Sequence, residues 1–294
     1  MDFQTYLQKR YRNSTVNYYA RQLDNYLVTV PNAETAGYTD VMNYIGALRK
    51  QQCGISKLQG TLQAIKQYYH YLLHIGKRND HPCRYMVLKD KKNKSIQLQD
   101  LFTPTELETL LNRKERYKIM EIRNKVLISL LIYQGLSTGE LIQLTLKDID
   151  LIKGTLHVKG TTYTNSRTIG LQTNQIMLLH KYIHEVHPKL LLRRKPSPLR
   201  GELEGGLLLT WQGSEENGEG INYLIGTYKK QFPGRNLNPK TIRQSVITNL
   251  LKQGKDVRIV QVYVGHKSPD TTEKYKQSNT EELQSMINKY HPIK

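Results

Sequence analysis

Residues 237–275 read LNPKTIRQSVITNLLKQGKDVRIVQVYVGHKSPDTTEKY, and this stretch determines how the second half of the chain folds. Its apolar phasing predicts three short helices separated by two turns. Lys240 and Arg243 lie three positions apart, so a helix projects both side chains from one face. His266 follows the apolar run of the second helix, and Tyr275 falls on the third. The stretch therefore combines two cations, an imidazole and a phenol.

Such a set is suited to reaction at a phosphodiester. Cations neutralise the non-bridging phosphate oxygens, an imidazole holds a proton or donates a hydrogen bond, and a phenol can attack phosphorus. Each residue alone has an ordinary structural explanation, since the chain contains 20 tyrosines and 44 lysines and arginines. The spacing of the whole set is what favours chemistry.

The spacing resembles that of a known family. Lys240-x-x-Arg243, then Gly265-His266, then Tyr275 is similar to the C-terminal motif of the tyrosine recombinases, or phage integrases. That family usually has His-x-x-Arg, then Gly-His or Gly-Trp, then a tyrosine nine positions on, which is the spacing here. The resemblance implies that Tyr275 is the nucleophile, assisted by Arg243, Lys240 and His266. Lys240 stands in place of the more frequent histidine.

A second family motif lies at 135–141, which reads GLSTGEL. In the family this box is typically Gly-Leu-Arg-x-x-Glu-Leu, so Glu140 matches the acidic residue that orients the catalytic arginine and histidine. Ser137 stands where the family has its first catalytic arginine. A serine cannot make the bidentate phosphate contact of an arginine, and loss of one transition-state donor costs about 3–4 kcal/mol of barrier.

Three interpretations of Ser137 stay open. The chain is a degenerate relative that does not cleave DNA, or the serine donates one hydrogen bond while another cation supplies the charge, or the sequence carries a substitution. We expect an active enzyme, because the other family positions are intact and some integrases of mobile conjugative elements lack this arginine.

Residues 151–171 alternate in polarity between turn residues and predict a small antiparallel sheet. The resemblance implies a hairpin lysine that gives a proton to the leaving 5′ oxygen, and Lys159 is the nearest match. The alternative is an ordinary solvent-facing strand lysine. Arg167, on the return strand, is our candidate for a cation that compensates for Ser137.

The composition indicates an anionic partner. A net charge of +19 and a pI near 9.7 favour nucleic acid, with a membrane surface as the runner-up. The sequence contains no apolar run of transmembrane length, and its start is polar, so we expect no membrane association and no signal peptide. Cys53 and Cys83 are isolated, which fits a reducing bacterial cytoplasm. No metal-ligand spacing or cofactor motif is evident, so we expect neither a metal nor a cofactor.

Residues 1–90 predict helices only, and the layout resembles the core-binding domain that precedes the catalytic domain in the family. The expected helices run from Ser14 to about Val28, from Thr39 or Asp40 to before Gly54, and from Ser56 to Gly76. A basic linker follows. We expect basic side chains of both segments to follow DNA phosphates, the alternative being a solvated face. They are Lys9, Arg10, Arg12, Arg21, Arg49, Lys50, Lys57, Lys66, Lys91, Lys92 and Lys94.

The predicted fold is mainly α and has two domains. The first, 1–90, is all-helical, and 91–101 is the linker. The second, 102–294, is mainly helical with a small antiparallel sheet. The resemblance implies that the first is a SAM-like core-binding domain and that the second is a catalytic domain with the DNA breaking-rejoining enzyme fold. It opens with Thr103-Pro104 and Glu106, a strong helix start.

The resemblance implies a site-specific recombinase that cleaves and rejoins double-stranded DNA through a 3′-phosphotyrosine intermediate, in the integration or excision of a mobile element. It further implies a homotetramer on DNA, a monomer or dimer when free, and room for an accessory DNA-bending factor. A C-terminal helix over 279–290 is expected to pack on its own domain or on a neighbouring protomer. The alternatives are a catalytically degenerate DNA-binding protein of this fold and a type IB topoisomerase.

Overall fold

The computed structural model describes residues 2–90, 101–194 and 205–275. The chain divides into two compact units, Met1–Lys94 and Ser95–Lys294. The described residues do not include the predicted linker, except for its last residue, and so they do not include Lys91, Lys92 and Lys94. The predicted helix 279–290 also lies outside them.

The described part of the first unit is helical. Its helices are α1 (Phe3–Gln8), α2 (Asn13–Thr29), α3 (Tyr38–Lys50) and α4 (Ile55–His74). Helix α4 is central because it packs against the other three. Tyr26 and Tyr69 join α2 to α4 through their hydroxyls at 2.7 Å inside this core. The prediction missed α1 and wrongly made Ser14 an N-cap: α2 begins at Asn13, and Arg12 takes the cap position.

The second unit begins as predicted. Thr103 caps α5 (Pro104–Thr109), and the Glu106 carboxylate returns to the Thr103 N–H at 2.8 Å, which completes a capping box. A short 3-10 turn, Leu110–Asn112, follows. Helix α6 (Lys118–Ile132) is buried on nearly all sides, which explains why its sequence is apolar without a clear stripe.

A three-stranded antiparallel sheet follows α7 (Thr138–Leu141) and a 3-10 turn, Leu146–Asp148. Its strands are β1 (Ile149–Asp150), β2 (Thr155–Val158) and β3 (Arg167–Gly170). Val158 pairs with Arg167, and both side chains lie on the buried face. The sheet therefore turns an arginine toward the interior of the unit.

Helices complete the described part of the second unit. They are α8 (Thr173–Lys181), a π-helical turn (Tyr182–Val186), α9 (His187–Leu191), α10 (Gly218–Gly226), a 3-10 turn (Lys229–Gln231), α11 (Pro239–Lys252) and α12 (Val257–Val264). The apolar run 207–210 forms no strand: Leu209 makes one isolated bridge, to Glu215, and the preceding Gly206 makes another, to Thr145. No helix among the described residues is long and apolar enough to cross a membrane. The mainly helical fold with a small antiparallel sheet is as predicted.

Candidate active site

Glu140 lies at the centre of the site, and the start of α7 fixes its position. Ser137 is the N-cap: its hydroxyl accepts from the Glu140 N–H at 3.3 Å, and the Glu140 carboxylate accepts from the Ser137 N–H at 2.8 Å. This reciprocal capping box holds the carboxylate in a buried position. The Ser137 hydroxyl also donates to the same carboxylate at 2.9 Å, so its single proton is already used.

Two guanidinium groups share the Glu140 carboxylate. Arg167 Nη1 donates to Oε1 at 2.5 Å, and Arg243 Nη1 donates to Oε2 at 2.9 Å. Burial raises the pKa of Glu140, but the two guanidiniums outweigh it and hold the pKa below its ordinary value. All three side chains are buried, and buried charges need such pairing. One carboxylate balances one of two cations, so the cluster keeps a positive charge.

The two guanidiniums also bond to backbone carbonyls at the end of α12. Arg243 Nη2 donates to Val264 O at 2.6 Å, and Arg167 Nε donates to Tyr263 O at 2.7 Å. Arg167 Nη2 is buried and has no hydrogen-bond partner among the described residues. An unsatisfied N–H in a positive cluster is suited to bind an anion.

Gly265 is the C-cap of helix α12 and places His266 beside this cluster. Gly265 has a φ of +73°, a left-handed conformation that favours glycine. Its carbonyl accepts from the Asn165 N–H at 2.8 Å, and His266 forms a bridge with Thr164. These contacts fasten the Gly-His turn to the hairpin that carries Arg167.

The His266 imidazole is buried, and its Nδ1 lies 2.9 Å from the hydroxyl of Thr272. Burial first, and then the positive charges of Arg243 and Arg167, lower the pKa of His266 to about 4. The ring is therefore neutral at pH 7.

Tyr275 ends the described part of the chain in a helical segment, 269–275, and lies next to His266. The two rings are 6.3 Å apart between centroids, with their planes inclined by 20°. Burial raises the pKa of Tyr275, while the Arg243 charge and a hydrogen bond with Gln244 act in the opposite direction. The phenol thus lies in the field of the guanidinium cluster.

Comparisons with known proteins identify the family of this chain. The model of the phage integrase family matches residues 100–282, more than half of the chain. The chain belongs to the phage integrase family of tyrosine recombinases. It is 27% identical over 292 residues to tyrosine recombinase XerD of Oceanobacillus iheyensis, covering 97% of this chain and 95% of that protein.

Tyrosine recombinase XerC of Staphylococcus epidermidis is 27% identical to this recombinase, covering 99% of this chain and 93% of that protein. Among solved structures, the Tn1549 transposon integrase in complex with transposon right end DNA aligns with a TM-score of 0.65 and 16% identity. That alignment covers 96% of this chain and 97% of the integrase and supports the two-domain recombinase fold.

Two predicted site residues, Lys240 and Lys159, make no contact with the cluster of Glu140, Arg167 and Arg243 in the described part of the chain. Lys240 is exposed on the first turn of α11. Lys159 follows β2, and its Nζ lies 3.2 Å from Oδ2 of Asp148, which Thr145 holds with its N–H and hydroxyl at 2.8 and 2.7 Å. This ion pair was not predicted from the sequence.

In the first unit of this recombinase, the predicted DNA-binding side chains are accessible. Lys66 is half-buried, and the others in the described residues are exposed: Lys9, Arg10, Arg12, Arg21, Arg49, Lys50 and Lys57. Arg49 forms an ion pair with Asp90 at 2.6 Å. Burial, and then the charges of Arg84, Arg10 and Lys66, lower the pKa of His70. Arg10, Lys66 and Arg84 therefore lie near His70.

Several residues that organise the site could not be identified from the sequence. Thr272 contacts the histidine, Gln244 contacts the tyrosine, and the Asn165 backbone holds the Gly-His turn. No signal marks a lone threonine or glutamine as functional in one sequence. Gln244 follows Arg243 directly, which is the only indication that the sequence offers.

Proposed function

We propose that this recombinase cleaves and rejoins duplex DNA through a 3′-phosphotyrosine bond at Tyr275. The observation that carries the proposal is the positive cluster of Arg167 and Arg243 on Glu140, beside the His266 and Tyr275 rings. The phenol oxygen loses its proton to water and attacks phosphorus to form the phosphotyrosine bond. The bond from phosphorus to the 5′ oxygen breaks, and that oxygen takes up a proton. The new link keeps the energy of the broken bond, so rejoining needs no ATP.

Arg243 and Arg167 stabilise the charge that develops on the non-bridging oxygens. Arg167 takes the place of the arginine that the family has at position 137. Three observations support this assignment: Arg167 is paired with the same carboxylate as Arg243, its Nη2 has no partner among the described residues, and the Ser137 proton is already bonded to Glu140. Glu140 orients both guanidiniums.

Lys159 is the proposed acid that protonates the leaving 5′ oxygen. Its side chain is about half exposed, so an incoming phosphate can compete with Asp148 for the ammonium group. Lys240 is exposed one turn before Arg243 and supplies a further cation to the DNA backbone.

The first unit serves as a DNA-binding module, and its basic side chains contact phosphates without reading sequence. Lys91, Lys92 and Lys94 extend this contact along the linker. The second unit is the catalytic domain. The reaction serves the integration or excision of a mobile element, and the relatives of this chain are bacterial proteins, so we infer action on DNA in a bacterial cytoplasm.

Recombination joins two duplexes, so we propose a homotetramer on DNA. The sequence at 279–290 carries an apolar stripe of Leu283, Met286, Ile287 and Tyr290, which needs a surface to cover it. We propose that it docks on a neighbouring protomer. Removal of residues 280–294 should then keep binding to a half-site but abolish the tetramer on a full site. Mass photometry measures both, and tetramers formed by the truncated protein would contradict the proposal.

The central test is covalent trapping on a DNA duplex that carries a nick next to the scissile phosphate. Wild-type protein should form an adduct that survives denaturation, and Tyr275→Phe should form none while binding the duplex with unchanged affinity. Tyr263→Phe is the matched control, because its hydroxyl donates to Tyr133 O at 2.9 Å. Absence of any wild-type adduct would favour the degenerate DNA-binding protein.

A second duplex with a free 5′ hydroxyl distinguishes recombination from simple relaxation of DNA. A recombinase should join the strand held on Tyr275 to the 5′ hydroxyl of this second duplex. Religation within one duplex alone would favour a topoisomerase-like activity.

A further inference from the structure

Thr272 links the two elements that carry the imidazole and the phenol. It is completely buried and lies three residues before Tyr275 in the segment 269–275. Its hydroxyl oxygen is 2.9 Å from Nδ1 of His266, which is also buried. Because either atom of such a pair can be the donor, the direction of this hydrogen bond decides which ring nitrogen carries the proton.

The environment of Thr272 determines the direction. If Nδ1 donated, the hydroxyl proton would need another acceptor, and no other hydrogen bond of this hydroxyl occurs among the described residues. A buried donor without an acceptor is strongly disfavoured. If the hydroxyl donates, both the threonine proton and the Nδ1 lone pair are satisfied by one bond.

We propose that Thr272 is a positioning residue that donates its hydroxyl proton to Nδ1 of His266 and so holds the imidazole in the tautomer with its proton on Nε2. The tautomer of His266 does not depend on the proposed function, whereas the effect of Thr272 on cleavage rests on it. A neutral ring has one donor and one acceptor, and the low pKa of His266 keeps it neutral at pH 7. With Nδ1 occupied, the ring offers an N–H to a phosphate oxygen.

This assignment selects between two roles of the imidazole. A ring with its proton on Nε2 and its Nδ1 bonded to Thr272 has no free lone pair to take the proton of Tyr275. It acts instead as a hydrogen-bond donor to the phosphate, alongside the two guanidiniums. Thr272 therefore sets which reaction step the histidine assists, without touching the DNA itself.

The direct test uses nitrogen NMR on protein labelled with ¹⁵N-histidine, without DNA. His266→Gln identifies the His266 signals by their loss. We expect Nδ1 to show the shift of an unprotonated, hydrogen-bonded acceptor and Nε2 the shift of a protonated nitrogen. A proton on Nδ1 overturns the inference. This measurement does not depend on cleavage, so it stands or fails separately from the proposed function.

The catalytic test compares Thr272→Val, which keeps the shape but removes the hydroxyl, with Thr272→Ser, which keeps the hydroxyl. With saturating nicked DNA, we expect trapping by Thr272→Val to slow by about 10- to 100-fold. This is less than the roughly 100- to 1000-fold cost of removing a transition-state donor, because Thr272 acts through His266. Thr272→Ser should stay within a fewfold of wild type, and DNA affinity should be unchanged in both.

Cleavage by Thr272→Val at the wild-type rate would overturn the positioning role. Thermal unfolding of each variant shows whether slow trapping reflects a misfolded protein. If Thr272→Val does not fold, a Thr272→Ser protein with the wild-type tautomer and rate supports the inference, and one with the proton on Nδ1 overturns it.

Discussion

Gly265 and the Arg167 guanidinium occupy adjoining space, and a Cβ at position 265 would overlap Nη1 of Arg167. The same glycine has a φ of +73°, which side chains with a Cβ rarely adopt. Two features of the structure therefore require glycine at position 265 of the Gly-His motif. It ends α12, and it leaves room for a cation that comes from the sheet.

This relationship predicts the effect of Gly265→Ala. The methyl group must displace the Arg167 guanidinium from Glu140, in addition to the backbone strain of about 1–2 kcal/mol. We expect trapping on nicked DNA to fall at least tenfold with DNA affinity retained. Gly254→Ala is the matched control, since Gly254 has a φ of +77° but open space around its Cβ. It should lose similar stability and keep its cleavage rate. Equal rates for the two variants would contradict the prediction.

Ser137→Arg should not improve the enzyme. The substitution removes an N-cap, which costs about 1 kcal/mol, and adds a third cation where one carboxylate already serves two. We expect unchanged or lower trapping, whereas Arg167→Ala should lose it. Ser137→Thr keeps the cap and serves as the control. A large gain from Ser137→Arg would show instead that the site lacks a cation that Arg167 does not supply.

The buried histidine predicts how stability changes with pH. The pKa of His266 is about 4 in the folded protein, against 6.5 for the free group, so the unfolded chain binds more protons between these values. Folding stability therefore falls as the pH is lowered from 6.5 toward 4, by up to about 3 kcal/mol for this group. His266→Gln should reduce that dependence.

Denaturant unfolding of the second unit measures this effect, because Trp211 is the one tryptophan of the chain and lies in that unit. His157→Gln, which replaces an exposed histidine on β2, is the control. Its free energy of unfolding should depend on pH as that of the wild type does. If the pH dependence of the unfolding free energy is the same in His266→Gln as in wild type, the pKa of His266 is not lowered by folding.

The spacings and caps that are local in the chain could be predicted from the sequence, whereas the bonds between distant residues could not. The spacing of Arg243, His266 and Tyr275 is local, and so is the capping box at Thr103. The sequence also indicates that Ser137 is an N-cap, because Glu140 follows it by three positions, which is the spacing of a capping box. The family motif drew attention to a missing arginine instead.

Long-range contacts explain the remaining differences. Arg167 was a candidate cation from its position on the return strand, but its bond to Glu140 was not predicted. That bond depends on the strand register that pairs Arg167 with Val158, and a shift of one residue would turn the side chain to solvent. The apolar run 207–210 forms no strand for a similar reason. An apolar run of that length suits a strand, but no neighbouring strand among the described residues extends a ladder along it.

Lys159 gives the sharpest test of the proposed proton transfer. If it protonates the leaving 5′ oxygen, Lys159→Ala should lose cleavage of ordinary DNA by at least 100-fold. A substrate with sulfur at the 5′ bridging position has a thiolate leaving group, which needs no proton. Cleavage of that substrate by Lys159→Ala should therefore approach the wild-type rate. Arg243→Ala should not be rescued, because its charge acts on the non-bridging oxygens.

Lys153→Ala is the matched control for Lys159→Ala, since Lys153 is an exposed lysine of the same sheet region that faces Asp150 at 3.7 Å. It should behave as wild type on both substrates. Loss of cleavage by Lys159→Ala on both substrates would mean that the lysine holds the phosphate rather than protonating the leaving group. In that case the ion pair with Asp148 would be a competitor for phosphate binding, and the acid would have to come from another side chain near the cluster.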